Sequence, residues 1–117
     1  MEDCVFCKIV GGDIPSAKLY EDDKFLIFAN INPNAKYHYL AIIKEHFATL
    51  SEMNEREGRL LGELLRLIPT LKGVLHLEHG YRLVINQKGE LGNDASQEVP
   101  HLHIHILSGQ KMDWHPA

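Results

Sequence analysis

The sequence predicts an α+β domain: a five-stranded, mostly antiparallel sheet with one long helix and a short N-terminal helix. Three observations predict it. Short segments rich in aromatic and β-branched residues, bounded by Gly, Pro, Asn or Asp, recur in both halves of the chain. Between them the apolar period changes: Leu60, Leu61, Leu64, Leu65, Ile68, Leu71 and Leu75 recur at helical spacing. The connections are short, which favours antiparallel neighbours and a helix packed on one face of the sheet.

Taken in order, residues 4–10 form a short helix stopped by Gly11-Gly12. Ile14-Pro15 is an extended step. Residues 18–21 and 25–28 are strands joined by an Asp22-Asp23 turn, and 30–34, with Pro33, is a loop. Residues 38–43 make a third strand. The long helix spans 51–75, with Ser51 as N-cap and Glu52, Glu55 and Glu57 in its opening turns. Pro69 predicts a kink or break in it. Residues 81–86 alternate as a fourth strand, 88–97 is a polar loop, and 101–107 is the fifth strand. Leu61, Leu64, Leu65 and Ile68 cover more than one helix face, so a second stripe is free to meet a twofold partner.

Composition narrows the function classes. The chain has 117 residues, 12 Lys plus Arg against 16 Asp plus Glu, and a net charge of −4. One domain over residues 1–117 is expected, large enough to bury a core without disulfide staples. Mild acidity argues against non-specific nucleic-acid or anionic-membrane binding. No apolar run reaches the roughly 18 residues of a membrane helix. The opening Met-Glu-Asp-Cys is no export signal, which predicts a cytoplasmic protein.

Ten residues stand out: 8 His and 2 Cys. Cys4 and Cys7 form a Cys-x-x-Cys pair, which in a chain without export signals points to metal binding or redox chemistry. His101, His103 and His105 alternate with Leu102, Ile104 and Ile106. Strand side chains alternate faces, so the three imidazoles share one face and the apolar residues face the core. Neighbours in such a row lie about 7 Å apart and the outer pair about 13 Å, so one metal ion cannot bind all three. At least one imidazole is left for other chemistry, and neutral imidazole is a good nucleophile near pH 7. Its other nitrogen then needs an acceptor, supplied by a strand carbonyl or a flanking His. A row of solvated surface histidines is the plainer alternative. His76 and His79 flank the helix end, where cations are favoured.

The run His101-Leu-His-Ile-His-Ile-Leu107 is the signature of the histidine triad (HIT) superfamily, which the chain resembles along essentially its whole length. Cys4-Val-Phe-Cys7-Lys-Ile-Val, Asp13-Ile-Pro-Ser and Tyr20-Glu-Asp-Asp are similar to the family's opening. His38-Tyr-Leu-Ala-Ile-Ile-Lys-Glu-His46, Tyr81-Arg-Leu-Val-Ile-Asn86 and Gln97-Glu-Val-Pro-His101 continue the likeness. Gly109-Gln-Lys-Met-Asp-Trp114 resembles the tail of the family's Hint branch.

That resemblance implies a homodimeric hydrolase of purine nucleoside 5′-phosphoramidates that needs no magnesium. His103 matches the nucleophile that forms a nucleotidyl-histidine intermediate; His105 matches the group beside the phosphate oxygens, and His38 the fourth active-site histidine. Val5, Phe6, Ile9, Phe28, Ile31 and Leu40 match the base pocket, with ordinary core as the plainer reading. Asn86, Ser96, Gln97 and Glu98 match the phosphate side, and Trp114 the tail that reaches toward the partner's site. Relatives that begin with Cys-x-x-Cys imply structural zinc on Cys4, Cys7, His46 and His101, against buried free thiols or a redox pair.

Four positions depart from the family pattern. Asn30 replaces the Asp that holds the ribose hydroxyls, losing charge-assisted bonds. Ser96 replaces a Gly that permits close backbone approach to phosphate. Glu98 replaces a hydroxyl that can assist the leaving group, and Ile43 a Pro. The alternatives are a dinucleoside polyphosphate hydrolase, a nucleotidyl transferase, or a nucleotide-binding module with weak catalysis.

Overall fold

The computed structural model describes residues 3–113. Trp114 therefore lies outside the described residues. Helix α1 (Val5–Val10) is followed by β1 (Lys18–Glu21), β2 (Phe25–Ala29), β3 (Tyr37–Ile43), α2 (Glu55–Leu67), β4 (Tyr81–Val84) and β5 (His103–Ser108). The strands form one sheet in the order β1-β2-β3-β5-β4. Every neighbouring pair is antiparallel; short connections account for β1–β2 and β2–β3, whereas longer stretches of chain join the β3–β5 and β4–β5 neighbours. Asp22 closes the β1–β2 turn: its carboxylate accepts the backbone N–H groups of Lys24 and Phe25, both at 2.7 Å.

Both faces of the central strands are covered, which explains why β2 and β3 are buried almost continuously rather than alternately. On one face Leu60 and Leu64 of α2, with Ile68 just after it, pack against Ile27, Ala41, Ile43, Ile104 and Ile106. On the other face Cys4, Phe6 and Ile9 of the α1 segment pack against Leu26, Phe28, Leu40 and Ile42. Leu102, Ile104 and Ile106 point into the first cluster, so the alternating histidines face the second.

The long helix differs from the expected 51–75. Asn54, not Ser51, is the N-cap: its side chain accepts the Glu57 N–H at 2.8 Å while the Glu57 carboxylate accepts the Asn54 N–H at 3.1 Å. This reciprocal capping box outcompetes Ser51, which sits in a 3₁₀ turn with its hydroxyl 3.0 Å from that of Thr49. At the other end Pro69 breaks the helix, and a 3₁₀ segment covers Ile68–Leu71. Strand ends shift by a few residues: β3 begins at Tyr37, β4 stops at Val84, and β5 starts at His103, leaving His101 just outside it.

His76 does more than sit near a helix end. Leu77 N–H bonds to the Lys72 carbonyl at 2.8 Å and His76 N–H to that of Gly73, a capping pattern that puts His76 in the left-handed region, φ 58°. Glycine is the usual residue there. His76 offsets the strain by stacking on Tyr37, with ring centroids 3.8 Å apart and planes 9° from parallel. Gly109, φ 88°, lies against the same Tyr37 ring, and a Cβ there would collide with it.

Leu65 is 41% exposed on the second stripe of α2, and Tyr81 and Leu83 are exposed on the edge strand β4.

Candidate active site and metal centre

Three histidines, His38, His103 and His105, converge where β3 and β5 pair, and their tautomers follow from hydrogen bonds that start at the backbone. Leu40 stands opposite His105 and His38 opposite Leu107, which brings the His38 and His105 rings together. The His38 Nδ1 accepts the Asn34 backbone N–H at 3.0 Å. A backbone amide can only donate, so neutral His38 carries its proton on Nε2. That N–H donates to His105 Nδ1 at 2.8 Å. His105 must then carry its own proton on Nε2. His103 is fixed independently: its Nδ1–H donates to the His101 carbonyl at 2.8 Å, leaving a lone pair on Nε2.

Adjacent rings 5.1 Å apart thus present opposite functions, a lone pair on His103 and an N–H on His105. One can attack an electrophilic centre while the other donates to its oxygen. Burial lowers the affinity of all three rings for a proton. It holds His38 and His103 below the ordinary imidazole range and, with His103 and His38 as neighbours, takes His105 down to about 4. Glu98 works in the opposite direction on His103. The neutral forms that the tautomer argument needs are therefore the stable ones at pH 7.

This burial makes stability depend on acid. A buried His105 with its folded pKa near 4 binds a proton less readily than the unfolded chain, whose imidazole titrates near 6.5. Its contribution is complete above about pH 6.5 and is lost as pH falls toward 4, because the unfolded state takes up the proton first. The melting temperature is expected to fall steadily over that window. The fall should shrink in His105→Asn, and scanning calorimetry between pH 7 and 4 measures both.

The walls of the site come from the cluster that the α1 segment forms with β2 and β3. Phe6 meets Phe28 edge-on at 5.4 Å and His103 edge-on at 5.1 Å, and both phenylalanines are buried with Leu40. Ile31 is 91% exposed on the loop after β2. The Asn30 Oδ1 accepts the Asn32 N–H at 2.9 Å, which turns its NH₂ toward His38 Nε2, 3.3 Å away. That nitrogen is already a donor to His105, so the amide protons of Asn30 are left for an incoming acceptor.

The loop before β5 is held by Gln97, whose side chain is spent on the backbone. Its Nε2 donates to the Ala48 carbonyl at 2.7 Å and its Oε1 accepts the Lys88 N–H at 3.0 Å. Glu98 is exposed and Asn86 half-buried. Ser96 adopts φ 57°, the left-handed backbone that favours glycine. Its replacement of Gly therefore carries strain of about 1–2 kcal/mol. Ser96→Gly is expected to stabilise the protein by about 1 kcal/mol, after subtracting the roughly 0.4–1 kcal/mol of extra unfolded-state entropy. A shifted urea midpoint at unchanged slope would register it; no shift would mean the strain is relieved elsewhere.

Cys4, Cys7, His46 and His101 form a second cluster whose ligand atoms all lie within 4.8 Å of one another. His101 Nδ1 is 3.6 Å from each sulfur, and His46 Nδ1 is 3.2 Å from Cys7 Sγ. Tetrahedral zinc with Zn–S near 2.3 Å and Zn–N near 2.0 Å places its ligands about 3.3–3.8 Å apart, so this spacing fits. Tautomer chemistry agrees. His101 Nε2–H donates to the Ile43 carbonyl at 2.7 Å, leaving Nδ1 free to ligate and fixed by an outer partner. Burial and the Cys4 thiol push the Cys7 thiol up to about 11; a divalent cation reverses that and draws both sulfurs as thiolates.

The sequence calls for an acceptor on the other ring nitrogen, and the His101 carbonyl supplies it for His103, but which main-chain atoms serve is not legible there. The Asn34 N–H, the His101 carbonyl and the Ile43 carbonyl are main-chain atoms, and no side-chain pattern announces them.

Comparison with known proteins agrees with this arrangement. Residues 3–115 match the family model described as scavenger mRNA decapping enzyme C-term binding. The chain is 40% identical over 115 residues to a 14 kDa zinc-binding protein of Zea mays, covering 97% of this chain and 87% of that protein. It superposes on a HIT family hydrolase from Legionella pneumophila Philadelphia 1 with a TM-score of 0.88 and 40% identity, covering 98% of this chain and 100% of that one. A histidine triad protein from Clostridium difficile gives a TM-score of 0.86 at 38% identity, covering 97% and 96%. With the alternating histidines, their backbone locks and these relatives in agreement, the chain belongs to the histidine triad family.

Proposed function

We propose that the protein is a nucleotide hydrolase that cleaves purine nucleoside 5′-phosphoramidates, of the adenosine 5′-monophosphoramidate kind, through a nucleotidyl-histidine on His103. The observation that carries this reading is the pair of opposite tautomers on adjacent rings. His103 Nε2 attacks the α-phosphorus, and the P–N bond breaks as the amine leaves with a proton from solvent. His105 Nε2–H donates to a phosphoryl oxygen as charge develops on it. Water then attacks the phosphorus and gives up a proton to solvent, the N–P bond breaks with its electron pair returning to His103 Nε2, and the nucleoside monophosphate departs. Two moderate barriers replace one high one. The charge is met by N–H donors, so no magnesium is required.

Phe6, Phe28 and Ile31 supply the apolar seat for a base, and the Asn30 amide donates to a ribose hydroxyl. Asn86, Ser96, Gln97 and Glu98 border the phosphate and leaving-group side, Ser96 and Gln97 through their backbone. Zinc fills the Cys4, Cys7, His46 and His101 cluster as a structural ion, because four protein ligands leave no open position. The exposed apolar side chains of α2 and β4 support a homodimer, and the reduced thiols suit a cytoplasmic location.

The test is a side-by-side rate comparison on an adenosine phosphoramidate and diadenosine polyphosphates, with rapid quench and mass analysis of the His103 peptide. Faster phosphoramidate turnover with an adduct of one nucleotidyl mass supports the reading. Preference for polyphosphates would move it to the other hydrolase class. AMP binding without turnover of either would leave a binding module.

A further inference from the structure

Two physical connections run from the metal cluster to His103. The first is His101, whose two ring nitrogens and main-chain carbonyl each have a partner. Its Nδ1 faces the thiols, its Nε2–H is held by the Ile43 carbonyl, and its main-chain carbonyl accepts the His103 Nδ1–H at 2.8 Å. The ring that would ligate a metal and the carbonyl that fixes the His103 tautomer thus belong to one buried residue, 1% exposed. The second connection is α1. It has six residues, too few to be stable alone. Cys4 and Cys7 flank Phe6, which stands perpendicular to the His103 ring with centroids 5.1 Å apart. Anchoring the two sulfurs anchors that wall.

We propose that the metal centre, beyond holding the fold, positions the His103 ring for attack, with His101 as the positioning residue. The inference rests on the reading of His103 as nucleophile. With the cluster closed, the residue-101 peptide and Phe6 hold the ring on two sides. With it open, both supports loosen together. The imidazole then samples its other tautomer and other rotamers, and the Nε2 lone pair is presented for a smaller fraction of the time. Phe28, Asn30 and Ile31, at the end of β2 and just past it, hold the ribose and the rest of the base, so the main effect falls on kcat, with a smaller rise in KM through Phe6.

The experiment compares zinc-loaded protein, protein stripped by a chelator, His46→Ala and His46→Cys, below the melting temperature of each. His46 supplies one ligand but neither the Phe6 wall nor the His101 carbonyl, and cysteine there remains a complete zinc set. Stripping and His46→Ala are expected to lower kcat about tenfold or more with a smaller rise in KM, as losses of outer-shell partners do. His46→Cys with zinc is expected to restore kcat. The His103 Nδ1–H resonance, slow to exchange in the loaded protein, should broaden or vanish in the stripped one while far-UV circular dichroism is unchanged. Two results would overturn the proposal: kcat and that resonance unchanged in stripped, folded protein, or their loss only together with the circular dichroism signal. If loaded protein turns over no phosphoramidate, the functional reading fails instead, and the resonance alone decides the positioning role.

Discussion

His103→Ala is expected to reduce turnover of an adenosine phosphoramidate by at least about 10³-fold, the scale on which removal of a nucleophile acts. The variant should still fold and bind AMP. His103 makes one side-chain hydrogen bond, to the His101 carbonyl, and its ring is edge-packed rather than a keystone of the main core. Burial of apolar residues by α2 does not involve it. His105→Ala should cost less, about 10²–10³-fold, because it removes one donor to the developing charge and leaves the attacking lone pair in place. His38→Ala frees His105 to adopt either tautomer, and its effect should be largely absent when His105 is already Ala. The measurements are kcat and KM for each variant, with calorimetric AMP affinity. Wild-type-like turnover in His103→Ala would sink the mechanism, and additive losses in the His38/His105 pair would sink the relay.

The sequence carried the strand that bears these rings with little ambiguity, because alternation of His with Leu and Ile has only one strand reading. It also located the α1 stop at Gly11 and the break at Pro69. It misled at Ser51, where a good N-cap residue stood three positions before a better one. Asn54 has a glutamate at the third following position and Ser51 does not, and that reciprocal pair decides the start. The β2 and β3 runs were too apolar for a period argument, since both of their faces are covered. The residues that match the family's base pocket, Phe6, Phe28 and Leu40, could not be told from core by type; all three are buried, and Phe6 also walls the His103 ring. Ser96 was legible as an anomaly because glycine was the expected residue, and its left-handed backbone gives the reason. The αL conformation of His76 carried no comparable signal.

Removing metal is expected to produce the largest change in stability. An ion that binds the folded chain but not the unfolded one contributes about 4 kcal/mol when its free concentration is roughly a thousand times Kd. For a domain of this size that corresponds to a melting temperature lower by on the order of 15 °C in excess chelator. The loss should not unfold the protein at room temperature. The main cluster, with Ile27, Leu64, Ile68, Ile104 and Ile106 all fully buried, lies on the opposite face of the sheet from the thiols. Cys4→Ala should reproduce the drop and abolish any further response to chelator, because it removes one of the four ligands; it also removes the sulfur that caps α1 by accepting the Cys7 N–H at 3.4 Å. Acid acts in the same direction, since Cys and His ligands must be deprotonated to bind. Calorimetry with and without chelator, together with zinc content by elemental analysis, measures all three. A melting temperature indifferent to chelator, in protein shown to lose its zinc, would mean that the four side chains hold α1 in place by packing alone.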